Sequence, residues 1–317
     1  MPYHSPLRYP GGKTALAPLL AETIQVNDIE GGTYLEPFAG GSGLALALLF
    51  SETVGNIHLN DLDRRIYSFW AAVLHQGEAF LDRVDNAKIN VAEWRRQREV
   101  MRQWKTAKIL DLGFATFYLN RCNRSGVFNA GPIGGYDQTG NYKIDVRFNK
   151  VELRKKIERI IIYRERIKIW NLDAIQFLKC VFEKSEVQRN RSLVYMDPPY
   201  FKKAERLYPL YFVDADHARL AKYLNSQKRM RWLVSYDDTE EIRSLYSGTK
   251  NLLFMNYFLH SVRTGHELFI PGPNCKLPAS FTEGADNIFK SPAGHIQREI
   301  GAHHAEDTDV EVKLKEA

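Results

Sequence analysis

The amino-acid sequence predicts an α/β fold in which a seven-stranded, mostly parallel sheet is covered by helices and interrupted by an inserted, mainly helical domain. Three observations over the 317 residues support this prediction. Short apolar segments typical of strands alternate with segments of helical period, which is the pattern of a sheet covered on both faces. A glycine-rich turn joins the first strand to a helix. About 100 residues separate the second predicted strand from the third, far more than a crossover needs.

The predicted strands and helices follow each other in a regular order. The segments predicted as strands are 33–35, 56–59, 168–171, 193–196, 231–235, 252–257 and 267–270. The helical patterns between them are 14–25, 44–51, 174–182 and 217–226. Crossovers between parallel strands are expected to be right-handed. The last two strands are joined by a short link without a helix, so we expect them to be antiparallel.

The long gap after the second strand is predicted to be an inserted domain, residues 64–164. It contains helical patterns at 64–75, 91–106 and 110–120, followed by a segment rich in glycine, asparagine and aromatic residues in which Gly134 and Gly135 indicate a turn. The flanking segments, 1–63 and 165–271, are predicted to form one discontinuous domain around the sheet. Residues 272–317 follow a proline-rich stop and are predicted to be a C-terminal tail that is partly disordered.

The charge of the chain is unevenly distributed, although the formal net charge is only +6. Residues 83–168 contain about 20 basic and about 10 acidic side chains, so this block alone exceeds the surplus of the whole chain. A basic block either contacts nucleic-acid phosphates or is a solvated helical surface. The three cysteines form no Cys-x-x-Cys pair, so neither a zinc site nor a disulfide framework is predicted. Without a long apolar run or a signal-peptide pattern, we expect a cytoplasmic protein that does not contact membranes.

The sequence Val-Tyr-Met-Asp-Pro-Pro-Tyr at 194–200 is the most informative motif for function. An apolar strand ends in Asp197, and Pro198 and Pro199 stop sheet pairing and stiffen the loop that follows. The loop therefore presents the Asp197 carboxylate, the Pro198 carbonyl and the Tyr200 ring in a fixed array. This array is suited to a planar base with an exocyclic amine, because the two acceptors take the two amine hydrogens and the ring stacks on the base.

A second motif, Tyr-Leu-Glu-Pro-Phe-Ala-Gly-Gly-Ser-Gly at 34–43, forms a strand, a glycine-rich turn and the start of a helix. Glycines allow a ligand to approach the backbone, and a helix N-terminus offers free N–H groups. The spacing is not that of the dinucleotide fingerprint. The second strand ends in Asn60 and Asp61, and an acid at this position typically holds ribose hydroxyls. Together with Asp197, these motifs predict a nucleoside-bearing cofactor next to an amine-binding loop.

Several ordered motifs resemble those of the Dam-type, class alpha DNA adenine-N6 methyltransferases. The matching segments are 8–13, 36–42, 60–61, 120–126, 173 and 197–200. The resemblance implies a Rossmann-like methyltransferase domain that transfers a methyl group from S-adenosylmethionine to N6 of an adenine flipped out of double-stranded DNA. S-adenosylhomocysteine would be the product, and no metal would take part. In this family the inserted domain reads the DNA target.

The resemblance also assigns site residues position by position. The catalytic residues would be Asp197, Pro198, Pro199 and Tyr200. The cofactor would be bound by Tyr9, Gly11, Gly12, Lys13, Glu36, Phe38, Gly40, Gly41, Ser42, Asp61, Asp173 and Asp197. DNA would be bound by Asn123, Arg124, Ser125 and Asn129. Simpler roles are open for six of these side chains. They are a surface lysine for Lys13, a cap of the glycine-rich turn for Glu36, an exposed loop acid for Asp61, a helix N-cap for Asp173, a strand-end cap for Asp197 and an internal salt bridge for Arg124.

Two other functions are open on the sequence. The first is the same chemistry on cytosine N4 or on adenine in RNA. Cytosine-N4 enzymes more often have serine at the position of Asp197, and RNA enzymes often have asparagine, so Asp197 favours DNA adenine. The second is a non-catalytic DNA-binding relative, which would not need both the cofactor turn and the 197–200 motif. We expect a monomer, with a cognate restriction enzyme as a candidate partner.

Overall fold

The structure of the protein is a computed structural model that describes residues 3–8, 12–184, 187–201, 212–258, 262–282 and 288–289. Its centre is a single sheet of eight strands. In chain order the strands are β1 Thr33–Glu36, β2 Asn56–Asn60, β3 Ile167–Trp170, β4 Ser192–Met196, β5 Trp232–Asp237, β6 Asn251–Phe258, β7 Val262–Pro271 and β8 Ile288–Phe289.

The strand order is β3-β2-β1-β4-β5-β7-β6-β8. Strands β1 to β5 are parallel to one another, and β7 is antiparallel to both β5 and β6. The predicted fold is confirmed: all seven predicted strands are present, and the two-residue β8 extends the sheet beside β6. The chain builds outward from β1 to β3 and then returns to β4, so the loops after β1 and β4 leave in opposite directions and a crevice opens between them.

Helices cover the sheet, and five of them lie in the long segment between β2 and β3. The helices are α1 Ala17–Val26, α2 Gly43–Phe50, α3 Arg64–His75, α4 Gly77–Asn86, α5 Val91–Arg102, α6 Ile109–Cys122, α7 Lys150–Ile162, α8 Ala174–Lys184, α9 Asp214–Ser226, α10 Glu240–Leu245 and α11 Ala279–Thr282. Four helices, α4, α7, α10 and α11, were not predicted. A signal for α7 is present, because Asn149 caps it by accepting a hydrogen bond from the Glu152 N–H.

The inserted segment shares its hydrophobic core with the sheet. One continuous cluster of buried side chains includes Leu20 and Tyr34 near the N-terminus as well as Phe69, Phe117 and Ile157 from the insertion. Five consecutive elements of the insertion thus pack as part of the main body. The boundary at residue 64 therefore remains a prediction about function, since packing does not separate the two segments.

The first part of the predicted tail packs on the core. Cys275 and Phe281 are buried, and the Phe281 ring meets the edge of the Phe269 ring with 5.5 Å between centroids. The Lys276 N–H donates to the Asn27 side chain at 3.0 Å, and the Asn27 amide donates back to the Lys276 carbonyl at 2.8 Å. Segments 283–287 and 290–317 lie outside the described residues. Across the part of the chain that is described, no helix combines the length and apolar character needed to cross a membrane.

Candidate active site

A cleft opens at the carboxyl ends of β1, β2 and β4, where the strand order reverses. Open α/β sheets bind their ligands at this place. Many of the residues predicted from the sequence line this one cleft: Gly12, Lys13, Glu36, Phe38, Gly40, Gly41, Ser42, Asp61, Asp173, Asp197 and Pro199. The predictions for Tyr9 and Gly11 lie outside the described residues. Local motifs far apart in the chain are thus brought together by the parallel arrangement of the strands.

The glycine-rich turn after β1 forms one wall of the cleft. Gly40 and Ser42 both have a left-handed backbone, with φ of 46° and 47°. That conformation is easy for glycine and uncommon for serine, so the surrounding contacts must hold it in place. The Gly40 N–H donates to Asp61 Oδ2 at 2.9 Å, and Trp70 Nε1 donates to the Gly40 carbonyl at 3.0 Å. The turn is therefore fixed by β2 on one side and by α3 on the other.

Asp61 and Glu36 are buried acids in the cleft. Burial raises the pKa of Asp61 to about 7, and the nearby Asp63 carboxylate adds to the increase. Burial raises the pKa of Glu36 to about 8, although the hydrogen bond from the Tyr34 hydroxyl, 3.0 Å from Oε1, opposes this. The Asp197 carboxylate contributes a further increase at Glu36. Both carboxyls are thus ready to ionise near neutral pH when a positively charged ligand arrives.

Asp173 lies at the far end of the cleft, where it begins α8. Its Oδ1 accepts a hydrogen bond from the Ile175 N–H at 3.0 Å, which is the N-cap role left open by the sequence. Its Oδ2 pairs with Arg219 of α9 at 2.8 Å. Arg219 also lines the cleft, and nothing in its surroundings along the sequence marked it as a site residue. The cap and a contact to a ligand are compatible, because a carboxylate has about four acceptor positions.

Asp197 follows β4 and is held by side chains from two distant segments. Lys13 Nζ lies 2.9 Å from both Oδ1 and Oδ2 of Asp197. Ser235 Oγ donates to Oδ1 at 3.2 Å and is itself 2.8 Å from the Tyr195 hydroxyl. The resemblance placed Lys13 on the cofactor, whereas its ammonium group contacts the Asp197 carboxylate directly. Lys13 is 5% exposed, so the simple surface-lysine role is excluded.

Glu267 completes this cluster and was not predicted. It lies on β7 with 1% exposure, and its Oε1 is 3.3 Å from Lys13 Nζ and accepts a hydrogen bond from the Tyr200 hydroxyl. Burial raises the pKa of Glu267, although Lys13 opposes the shift. Burial would lower the pKa of Lys13, but Asp197 and Glu267 outweigh it and keep the ammonium group charged. The sequence signal for Glu267 was an acid next to the apolar run that ends β7.

The predicted DNA contacts lie on the loop after α6. Arg124, Ser125 and Asn129 are exposed there. Asn123 is fully buried: its Oδ1 accepts from Trp94 Nε1 at 2.7 Å and its amide donates to carbonyls of the loop. The prediction that Asn123 contacts DNA therefore conflicts with the structure, because its hydrogen-bonding groups are already used to shape the loop. The open role of an internal salt bridge for Arg124 finds no support among the described ion pairs.

A comparison with family models decides the assignment. The model described as "D12 class N6 adenine-specific DNA methyltransferase" matches residues 9–257. The chain belongs to this family. The resemblance noted in the sequence is thereby confirmed, and so is the enzyme class: this D12-class protein is an N6 adenine-specific DNA methyltransferase. The match spans the glycine-rich turn, the inserted segment and the 197–200 motif.

Solved structures similar to this D12-class methyltransferase are distant in sequence. One is a protein from Pyrococcus horikoshii described as an RNA methyltransferase, with 11% identity and a TM-score of 0.39 over 83% of this chain and 85% of the other. Another is the rRNA methyltransferase aviRa from Streptomyces viridochromogenes, with 14% identity and TM-scores of 0.36 and 0.33 in two structures, each covering 84% of this chain and 87% of the other. No curated protein sequence matches the chain.

Proposed function

We propose that the chain transfers the methyl group of S-adenosylmethionine to N6 of an adenine that is flipped out of double-stranded DNA and bound at Asp197. One observation carries this proposal: Asp197 and Pro199 line the same cleft as Glu36 and the glycine-rich turn. An amine held by Asp197 therefore faces the space in which a methyl donor can bind. A DNA-binding relative without catalytic function would need neither the shared cleft nor the buried acids.

The lining of the cleft fits S-adenosylmethionine, which supplies an electrophilic methyl group on a sulfonium. Its ribose hydroxyls suit Asp61, whose oxygens each keep a second acceptor position. Its positively charged groups suit the acids of the cleft, above all Glu36. The Thr14 hydroxyl is buried in the lining with no hydrogen-bond partner among the described residues, and it offers one more group for a polar ligand. A side chain at Gly43 would lie 2.4 Å from that hydroxyl, so glycine keeps this position accessible.

The acceptor side of the site supports chemistry on an exocyclic amine. The N6 lone pair of adenine is delocalised into the ring and is a poor nucleophile. Hydrogen bonds from N6 to the Asp197 carboxylate and the Pro198 carbonyl favour a more tetrahedral nitrogen and stabilise the positive charge that develops on it. They also align the amine with the methyl group. Because N6 is not accessible in the stacked duplex, the base must leave it, and Tyr200 is the ring on which it would stack.

DNA binding is proposed for the inserted segment 64–164. Its exposed loop carries Arg124, Ser125 and Asn129, and it belongs to the basic block of the chain. Asn120 links this loop to the N-terminal segment, since its amide donates to the Arg8 carbonyl at 2.7 Å and its Oδ1 accepts from the Arg8 N–H at 2.6 Å. These bonds fix the loop relative to the N-terminal segment that leads into the cleft. Such an arrangement suits an enzyme that must bind duplex DNA and the flipped base at the same time.

The test is to identify the methylated nucleoside. Purified protein is incubated with S-adenosylmethionine and either unmethylated duplex DNA or RNA, with a chelator present, and the nucleosides are analysed by mass spectrometry. N6-methyladenine in DNA is the expected product, and the reaction should withstand the chelator. N4-methylcytosine, or methylated adenine in RNA alone, would replace the proposal by the corresponding alternative. Methylation mapping by long-read sequencing then identifies the recognised DNA sequence.

A further inference from the structure

A buried cluster of ionisable groups lies beneath the loop that carries Asp197. Lys13 is its only cation among the described contacts, and it meets Asp197 at 2.9 Å, Glu267 at 3.3 Å and the Tyr200 hydroxyl at 3.2 Å. Lys13 and Glu267 are almost fully buried, whereas the Asp197 side chain keeps 27% exposure towards the cleft. Within the cluster, therefore, Asp197 is the carboxylate that a substrate can reach, and Glu267 is not.

Glu267 holds the Tyr200 ring at its outer end. The Tyr200 hydroxyl donates to Glu267 Oε1, a bond that joins β7 to the loop after β4. Directly after Tyr200, the N–H of Phe201 donates to Asp237 Oδ1 at 2.8 Å. Asp237 and Glu267 are register partners on the neighbouring strands β5 and β7. Two acids on adjacent strands thus fix both the backbone after Tyr200 and the tip of its ring.

Glu267 also holds Lys13. A single ammonium group between two carboxylates is drawn towards both, so Glu267 limits how far Lys13 can move onto Asp197. Lys13 in turn contacts both oxygens of Asp197 and thereby sets the orientation of that carboxylate. Each carboxylate oxygen has two acceptor positions, so Asp197 can hold Lys13 and accept a hydrogen bond from a base at the same time.

Stability alone is a weak reason for such a cluster. Burying charges is costly, and apolar side chains of similar size are often equally stable or more so. Burial indeed raises the pKa of Glu267, so the folded protein disfavours its ionised form. The positive charge of Lys13 offsets part of this cost. A buried acid that meets both the ring and the cation of the 197–200 loop is better explained by a need for fixed geometry at that loop.

We infer that Glu267 is a positioning residue of the methyl transfer: it fixes the Tyr200 ring through its hydroxyl and the Asp197 carboxylate through Lys13. The inference rests on the proposed function and extends it to a residue that never touches the base. Misplacing the acceptor by about 1 Å can reduce the rate by about 100-fold. Loss of one of several supporting contacts is therefore expected to reduce turnover without affecting how the cofactor binds.

The experiment compares two variants of the cluster with two matched controls. Glu267→Gln keeps the size of the side chain and removes its charge, and Tyr200→Phe keeps the ring and removes the hydroxyl. A similar trio, with an arginine in place of the lysine, occurs on the exposed surface, where the Tyr163 hydroxyl donates to Glu52 at 3.1 Å and Arg166 pairs with Glu52 at 2.8 Å. Glu52→Gln and Tyr163→Phe therefore repeat both chemical changes away from the site.

Four quantities are measured for each protein: kcat, KM for duplex DNA, Kd for S-adenosylhomocysteine, and the melting temperature. Glu267→Gln is expected to lower kcat about 10-fold or more, with KM, Kd and melting temperature close to those of wild type. Tyr200→Phe should also lower kcat. Both controls should match wild type. A merely structural role would instead lower the melting temperature and weaken cofactor binding together with turnover.

A spectroscopic signal then tests the geometry itself. 2-Aminopurine replaces the target adenine in duplex DNA, and its fluorescence reports the stacking of the flipped base. Glu267→Gln and Tyr200→Phe should both change the emission of the bound complex, and the controls should not. Turnover within about two-fold of wild type in Glu267→Gln, or unchanged emission in both variants, would overturn the inference. If wild type itself forms no N6-methyladenine, the proposed function fails; if wild type is active and Glu267→Gln equals it, only the inference fails.

Discussion

Binding of S-adenosylmethionine is expected to release a proton from Glu36. This carboxyl lies at the end of β1 in the cleft proposed for the cofactor, and burial raises its pKa to about 8. Glu36 is therefore mostly protonated at neutral pH in the free protein. A cofactor with a sulfonium and an ammonium group brings positive charge into the cleft, which lowers that pKa and favours the ionised carboxylate.

The size of the effect follows from the pKa. With a value of about 8, roughly nine in ten Glu36 side chains are protonated at pH 7. If only the carboxylate binds the cation, Kd should be about 11-fold higher at pH 7 than at its alkaline limit, and about 100-fold higher at pH 6. Asp61, with a pKa raised to about 7 by burial, adds a smaller dependence in the same direction. Affinity should therefore rise with pH through this window.

Isothermal titration calorimetry measures both the affinity and the proton release. Titrations at about pH 7 in two buffers with different ionisation enthalpies should show close to one proton released for each S-adenosylmethionine bound. S-adenosylhomocysteine lacks the sulfonium charge and should release less. Glu36→Gln should flatten the pH dependence to the part that Asp61 contributes. Glu30→Gln, which changes an exposed glutamate, should behave like wild type.

One result would refute this reasoning. If the affinity of wild type for S-adenosylmethionine is constant between about pH 6 and pH 8 and no proton is released, then Glu36 does not exchange a proton for the charge of the cofactor. The methionine end of the cofactor would then have to lie away from the end of β1.

Three further predictions concern the acceptor, the DNA and the C-terminal segment. Asp197→Ala should lower turnover by about 100-fold or more while calorimetry still detects cofactor binding, because a hydrogen bond to developing charge is lost; near-normal turnover would contradict the assignment. Arg124→Ala should have one of two effects on DNA binding. Either the discrimination between bases at one position falls by roughly 1–3 kcal/mol, or the affinity for all DNA sequences falls equally and the slope of log affinity against log salt concentration flattens by about one unit. Affinity and specificity equal to wild type would place the DNA interface elsewhere. Deleting 290–317 should leave the melting temperature unchanged, whereas deleting 272–317 should destabilise the fold by about 2 kcal/mol or more, because it removes the buried Phe281; equal melting temperatures would show that 272–282 adds no stability.

The sequence alone was sufficient for the architecture and for the chemistry at strand ends. Period and turn residues are local signals, so they located seven of the eight strands of the sheet and seven of the eleven described helices. The glycine-rich turn, Asp61 and Asp197 were recognisable because each follows an apolar strand directly. Parallel strands place such ends at one edge of the sheet, and this is why residues scattered along the chain could be expected in one cleft.

Only the tertiary structure decided which side chains meet. Lys13 and Asp197 are 184 positions apart, and their contact forms only because the fold brings Lys13 against the loop after β4. Glu267 joins them because the antiparallel register of β7 on β5 brings it opposite Asp237. The tertiary structure also decided the role of Asn123. This polar residue is buried, and its hydrogen bonds shape the loop to which it belongs. Local patterns specify where strands and turns form, but partners across the sheet are set by packing and register, which no short stretch of sequence contains.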